Sequence, residues 1–541
     1  MESIEVVLAM LLAVVASGWI GRMLPIAVPL PLIQIAFGAI IEGVFRHGVA
    51  LDPDIFFLLF LPPLLFLDGW RIPKVGLFHD KGTILELALG LVVFTVLGAG
   101  FLLHWLIPEM PLAVAFALAA IVAPTDPVAV SSITSRIPVP PRLMHIIEGE
   151  SLLNDASGLV CFRFAVAAAM TGHFSLAQAG TTFLWVALGG VAAGVAVTWA
   201  IARAHALLLR RFGEDDGMPI LINLLTPFGA YLAAEHLQAS GILAAVAAGI
   251  TMSYVELGGS ATPTTRIRRN VVWDTLQFTL NGVMFVLLGE QLPDVARGAL
   301  HPAGGTPYGG WWLAGVALAF SLGLVLLRFV WVWVSLRLTL LNRRRLGHQV
   351  YRPRMRLVMA TSFAGVRGAL TMAGVLTLPL TLPDGAPFPT RHLAIFLAGA
   401  VILVSLVLAS VMLPRLLRGL VLPDAPHAMD EEDRARHAAT LAALAAVEQE
   451  AQRRTAGAEG TLHAEAAAHV TGLYRHRLRE PRPDGSLQDA HAAERAERDY
   501  RLAGLRAERD TILRLARRNE ISDETARHLV REIDLVEARY R

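Results

Sequence analysis

Long apolar runs follow one another from near the start of this chain to about residue 414, separated by short polar turns. A helix needs roughly 20 apolar residues to cross the hydrocarbon core of a bilayer. In that solvent the backbone must satisfy its own hydrogen bonds, so runs of this length read as helices. The spans fall at 4–22, 25–42, 54–70, 83–106, 111–132, 143–170, 181–202, 218–236, 240–256, 271–291, 311–336, 357–380 and 392–414. The expected fold is therefore an all-α polytopic membrane protein of about thirteen transmembrane helices.

Orientation supplies an independent check, because cytoplasmic loops collect Lys and Arg. With thirteen spans and the N-terminus outside, the inner loops hold 21 basic residues and the outer loops three, Arg46, Arg297 and Arg391. This places the protein in the cell membrane, multi-pass, with its C-terminus in the cytoplasm. The N-terminal Met1-Glu2-Ser3-Ile4-Glu5 lacks a basic leader region, so the first apolar run is expected to stay as a helix.

Charge divides the chain near Leu422-Pro423. Residues 1–423 carry 49 charged side chains, residues 424–541 carry 43. Soluble proteins carry about 25% charged residues, so the first part has the composition of a bilayer protein and the second that of a solvated one. The division is a transmembrane domain, 1–422, and a charged cytoplasmic tail, 423–541. Tail helices are expected at 502–519 and 522–541, Ser522 capping the last, with linkers at Gly457–Gly460 and Pro481–Gly485. A net charge of +2, with the tail arginines matched by acids, gives no nucleic-acid footprint. Cys161 is the single cysteine and cannot form an internal disulfide.

Charged residues inside the spans include Asp68, Glu86, Asp126, Glu148, Glu150, Asp155, Arg163, Asp274, Glu290, Arg328 and Arg367. Each costs about 2.5–3.5 kcal/mol at the bilayer centre, so such groups face a cavity or a partner. Glu86, Glu148 and Glu290 lie near span ends and are expected to reach out to the interface. Asp126 lies in the fifth span between two prolines, Pro124-Thr125-Asp126-Pro127. Each proline lacks an N–H, which frees the carbonyls of Ala120 and Ala123. Free carbonyls beside a carboxylate and a threonine hydroxyl suit a hard cation; a plain proline kink is the alternative. In the sixth span Ser151 and Asp155 share one helical face, and Glu150 and Asn154 the adjacent one. Gly149, Ala156, Ser157 and Gly158 there admit another backbone. The twelfth span carries Arg367 between Gly365-Val366 and Gly368, which weakens the helix. Two discontinuous helices, spans 5 and 12, running in opposite directions fit an inverted repeat of spans 4–6 and 11–13, a pattern that marks transporter sites.

Thr125-Asp126-Pro127, the longer Gly149-Glu150-Ser151-Leu152-Leu153-Asn154-Asp155, Gly365-Val366-Arg367-Gly368-Ala369 and the third-span segment Leu61 to Gly69 resemble the monovalent cation:proton antiporter-1 family, which includes bacterial NhaP-type and animal NHE-type sodium/proton exchangers. The resemblance covers roughly residues 1–420. It implies that Asp155 carries cation and proton in turn, that Asp126, the Thr125 main chain and Ser151 help form the site with Asn154 beside it, and that Glu150 pairs with Arg367 to hold spans six and twelve. It further implies a homodimer in which a core of broken helices moves against a scaffold. Asp68 is assigned to the ion pathway, and Arg163 receives no role.

Antiport needs one site that holds a proton or a metal ion, never both, and a carboxylate of tuned pKa does this. Asn154 cannot carry charge, so the expected exchange is electroneutral, one monovalent cation for one proton. Sodium is the first choice, with potassium and lithium as the others, in a role of pH and sodium homeostasis. No cofactor is expected beyond the transported ions; membrane lipid is the surrounding partner, and a regulator of the tail is not identifiable. A cation channel could use the same acids. An intramembrane aspartyl protease would need a Gly-x-Gly-Asp setting that neither aspartate has.

Overall fold

The computed structural model describes residues 2–24, 28–45, 53–71, 86–134, 141–171, 176–212, 217–257, 263–300, 309–345, 355–418, 426–454, 460–477, 487–518 and 523–538. The chain forms two compact units, Met1–Val421 and Leu422–Arg541. The first unit contains α1 (Glu2–Met23), α2 (Leu30–Phe45), α3 (Pro53–Arg71), a π-helical turn (Glu86–Leu91) leading into α4 (Val92–Leu106), α5 (Leu112–Val122), α6 (Pro127–Thr134), α7 (Pro141–Thr171), α8 (Leu176–Phe212), α9 (Met218–His236), α10 (Gly241–Leu257), α11 (Pro263–Leu300), α12 (Gly310–Arg345), α13 (Met355–Phe363), α14 (Ala369–Leu376) and α15 (Arg391–Leu417).

Among the described residues, seven helices are long and apolar enough to cross a membrane by length and composition. They include all or most of α1, α8, α9, α11, α12 and α15, and the π turn with α4. Shorter apolar helices occupy Leu30–Val44, Leu112–Val122, Ser157–Thr171 and Gly241–Glu256. The short helices have physical causes. α5 stops where Pro124 and Pro127 end the ladder, and α13 stops where residues 364–368 leave helical conformation. Among the described residues of this unit the regular structure is helical apart from an isolated bridge between Thr381 and Pro387.

These helices sort into two bundles by what they pack against. α4 to α7 and α12 to α15 pack mainly on one another, around a cluster that includes Leu103, Leu118, Phe320, Leu324 and Leu397. α1, α2, α3 and α8 to α11 form the second bundle. There Phe66 stacks on Trp273 with ring centroids 5.5 Å apart. Its helices approach backbone to backbone: a Cβ on Gly249 of α10 would lie 2.0 Å from the carbonyl oxygen of Phe66 on α3. Small residues permit this contact, a means of joining helices where the surrounding lipid gives no hydrophobic drive.

Glu290 departs from expectation. It is 2% exposed, buried inside α11 rather than reaching the interface, and its Oε2 accepts a hydrogen bond from Gln291 at 3.0 Å. Glu148 is exposed, and the side chain of Glu86 lies outside the described residues. The second unit holds α16 (Pro426–Arg454), α17 (Gly460–Arg477), α18 (Leu487–Arg517) and α19 (Asp523–Ala538). α18 begins earlier than expected, and α19 packs on it through Arg509, which bonds Glu537 and sits 2.6 Å from Asp534. Residues 457–459, Pro481–Gly485 and Ser522 lie outside the described residues.

Candidate functional site between the two bundles

The site is built on the break between α5 and α6. Pro127 takes the first position of α6, where a missing N–H costs nothing. Asp126 precedes it as the cap, accepting the Ala129 N–H at Oδ1 over 3.4 Å. The N–H of Asp126 has left the α5 ladder and donates to the Val366 carbonyl at 2.7 Å. The Val122 carbonyl therefore loses its helical partner, and the Arg367 guanidinium replaces it through Nε at 2.8 Å. Arg367 also donates through Nη1 to the Gly365 carbonyl, and its own N–H donates to Ser405 Oγ at 3.1 Å. The two breaks thus satisfy each other. A Cβ on Gly368 would lie 2.1 Å from Asp126 Oδ2, so only glycine allows this approach.

α7 docks on the same break. Ser151 Oγ donates to the Thr125 carbonyl at 2.5 Å, and Asn154 Nδ2 donates to Thr125 Oγ1 at 3.0 Å. A Cβ on Gly158 would meet Pro124 Cγ at 2.4 Å. Residues 151, 154 and 158 share one helical face, which is pressed against the break. Beyond the carbonyls that the prolines leave without an N–H, Val122 and Thr125 take up side-chain donors, Val122 because the Asp126 N–H crosses to the other broken helix; Ala120 O lies against Gly158.

Beside this junction is a cavity of about 80 Å³, space for several waters. One wall is the broken-helix bundle, with Thr125, Asp126, Ser151, Asp155 and Thr371. The other wall is the second bundle, with Asp68 on α3 and Gln277 and Asn281 on α11. The predicted Asp155, Asp126, Thr125, Ser151 and Asp68 converge here. Asn154 does not line the cavity; it holds Thr125 from behind, 1% exposed, with its Oδ1 accepting no hydrogen bond from the described residues.

The expected Glu150–Arg367 pair is replaced. Glu150 forms a two-pronged bond with Arg328 of α12, Nη1 to Oε1 at 2.5 Å and Nη2 to Oε2 at 2.8 Å, with both side chains buried. Arg328 Nε donates to the Thr361 carbonyl at 3.0 Å. Gly365 makes room for it, since a Cβ there would sit 2.7 Å from Arg328 Cδ. Arg367 is occupied by two carbonyls of the breaks, so the carboxylate goes to the other arginine. Arg328, Gln277, Asn281 and Thr371 join the residues that the sequence motifs single out. Gln277 and Asn281 carried a usable signal, a polar i,i+4 pair inside an apolar span. The exposed Arg163 stands 3.7 Å from the half-buried Glu235 of α9.

Residues 7–419 match the family model of the transmembrane sodium/hydrogen exchangers. The chain belongs to the sodium/hydrogen exchanger family. It is a secondary transporter, a cation/proton antiporter by family, and not an enzyme. It is 41% identical over 544 residues to the uncharacterized Na(+)/H(+) exchanger YjcE of Escherichia coli, covering 99% of each chain. It is 39% identical over 550 residues to a sodium, potassium, lithium and rubidium/H(+) antiporter of Bacillus subtilis, covering 100% of this chain and 78% of that one. The fold resembles that of the sodium proton antiporter MjNhaP1 of Methanocaldococcus jannaschii, with a TM-score of 0.58 at 19% identity over 78% of this chain and 99% of the other.

Proposed function

We propose that this exchanger moves one monovalent cation against one proton at Asp155. The carrying observation is the place of that carboxylate: in a small cavity, beside Asp126, Thr125 and Ser151, with walls from two different bundles. A site between two bodies opens to one side or the other as they rock. A carboxylate in such a site binds a proton or an alkali cation, and a hydrated cavity lets the two compete. Sodium is the first cation to expect, with potassium, lithium and rubidium as further candidates, a range that the name of the B. subtilis relative carries.

The helices read as thirteen membrane crossings, the α5/α6 and α13/α14 pairs each forming one discontinuous span in inverted repeats. The N-terminus lies outside and the tail in the cytoplasm, in the plasma or inner membrane. The protein works as a homodimer in pH and sodium homeostasis. Exchange is electroneutral, since Asn154 beside Asp155 cannot titrate.

The test is proton movement in vesicles. Purified protein in liposomes with a preset pH gradient should dissipate it on addition of sodium, potassium or lithium chloride. Asp155→Asn should insert and move neither ion; exchange like that of the unaltered protein would reject the assignment. With the potential clamped, the reversal pH gradient should not follow the imposed voltage, worth about 2.3 kcal/mol per charge per 100 mV. A shift would reject one-to-one exchange.

A further inference from the structure

The mechanism above leaves unused a charged group at one mouth of the cavity. Arg71 ends α3, one helical turn beyond the cavity-lining Asp68. Its Nη2 bonds Asp274 of α11, and its Nη1 donates to Gln277 Oε1 at 3.0 Å. Gln277 and Asn281, one turn further along α11, line the cavity. The polar path from the cavity therefore leads past Gln277 to this pair. Arg71 is 39% and Asp274 65% exposed, so the pair lies at the protein surface, joined to the cavity wall through Gln277.

A guanidinium in that place repels an arriving cation, and a carboxylate attracts one. Paired, they nearly cancel. An exposed ion pair adds little to stability, so holding the two together has more effect on the local potential than on the fold. Gln277 and Asn281 opposite bring amide dipoles and no charge, and the other charged groups near this mouth are carboxylates, Asp68 in the cavity wall and the exposed Glu148 of α7.

We infer that Arg71 and Asp274 form a charge-balanced entrance that sets the apparent cation affinity from the face where α3 ends, without taking part in binding at Asp155. By the loop-charge reading that face is cytoplasmic. The inference rests on the exchange reading above and adds which residues tune KM on one side.

The experiment measures sodium-dependent proton movement in everted membrane vesicles, whose outer face is cytoplasmic, over a range of sodium concentrations. Asp274→Asn exposes the arginine and should raise KM by roughly three- to five-fold, the effect of one charge at about 5 Å in water. Arg71→Gln exposes the aspartate and should lower KM by a similar factor. The double variant should return close to the unaltered value, Arg71→Lys should stay near it, and maximal rates should change little. Each shift should vanish in about 1 M choline chloride, where the screening length is about 3 Å.

A fold defect would lower the maximal rate in both single variants and would not give opposite signs. Shifts of the same sign, no shift, or shifts that survive high salt would overturn the inference. Absence of exchange by the unaltered protein would overturn the exchange reading itself, and this inference with it.

Discussion

The two bundles of the membrane unit meet the same requirement in different ways. In both, backbone polar groups must be satisfied away from water. The second bundle keeps its helices continuous and brings them together at glycines such as Gly249. The first bundle interrupts two helices and repairs each interruption with groups from elsewhere: Asp126 N–H to Val366, Arg367 to Val122, Ser151 to Thr125 and Arg328 to Thr361. Continuity keeps the backbone groups of each helix paired within it. Interruption puts oxygen atoms and a carboxylate at the cavity, and makes that bundle depend on a few charged side chains.

If so, the largest losses come from the broken-helix bundle. Removing either partner of the buried Glu150–Arg328 pair strands a charge and should cost about 3–5 kcal/mol. Thermal melting in detergent should show Glu150→Ala and Arg328→Ala losing less together than the sum of the two. The coupling of Glu150 with Arg367 should be smaller. A stronger Glu150–Arg367 coupling would reverse the pairing described here.

Arg367→Lys comes next. Lysine keeps the charge but cannot reproduce the guanidinium reach to both Val122 and Gly365 carbonyls. Loss of a charge-assisted hydrogen bond should lower stability by about 1.5–3 kcal/mol. In the second bundle, Gly249→Ala should cost about 1–3 kcal/mol through overpacking, with the cation affinity of the folded fraction unchanged. A weakened affinity would mean that the second bundle shapes the site as well as supporting it. Ser151→Ala is the mildest, about 1 kcal/mol for one neutral hydrogen bond, and should weaken cation affinity more visibly than stability.

Much of this contrast was legible in the sequence. Pro124 and Pro127 fall where α5 ends and α6 begins, and the glycines around Arg367 fall between α13 and α14, because local backbone chemistry decides where a helix stops. Ser151 and Asp155 on one face of α7 followed from helical periodicity. Glu150's partner did not, since two intramembrane arginines were available and the choice depends on how α12 is rotated against α7. Arg328 sits in an unbroken apolar helix with no local mark. The place of Asn154 against Thr125 is hidden from the sequence for a related reason: the i,i+4 pattern fixes a face, but not whether that face meets a cavity or a neighbouring break.

The central claim is that one carboxylate holds either a proton or a cation, and titration calorimetry on the purified protein tests it most directly. Metal binding to a carboxylate releases its proton, so below the pKa of Asp155 the apparent sodium affinity should fall about tenfold for each unit of pH lowered. About one proton should be released per cation bound, and Asp155→Asn should show no such binding. Affinity that is independent of pH over the whole range, or cation binding that persists in Asp155→Asn, would contradict the account.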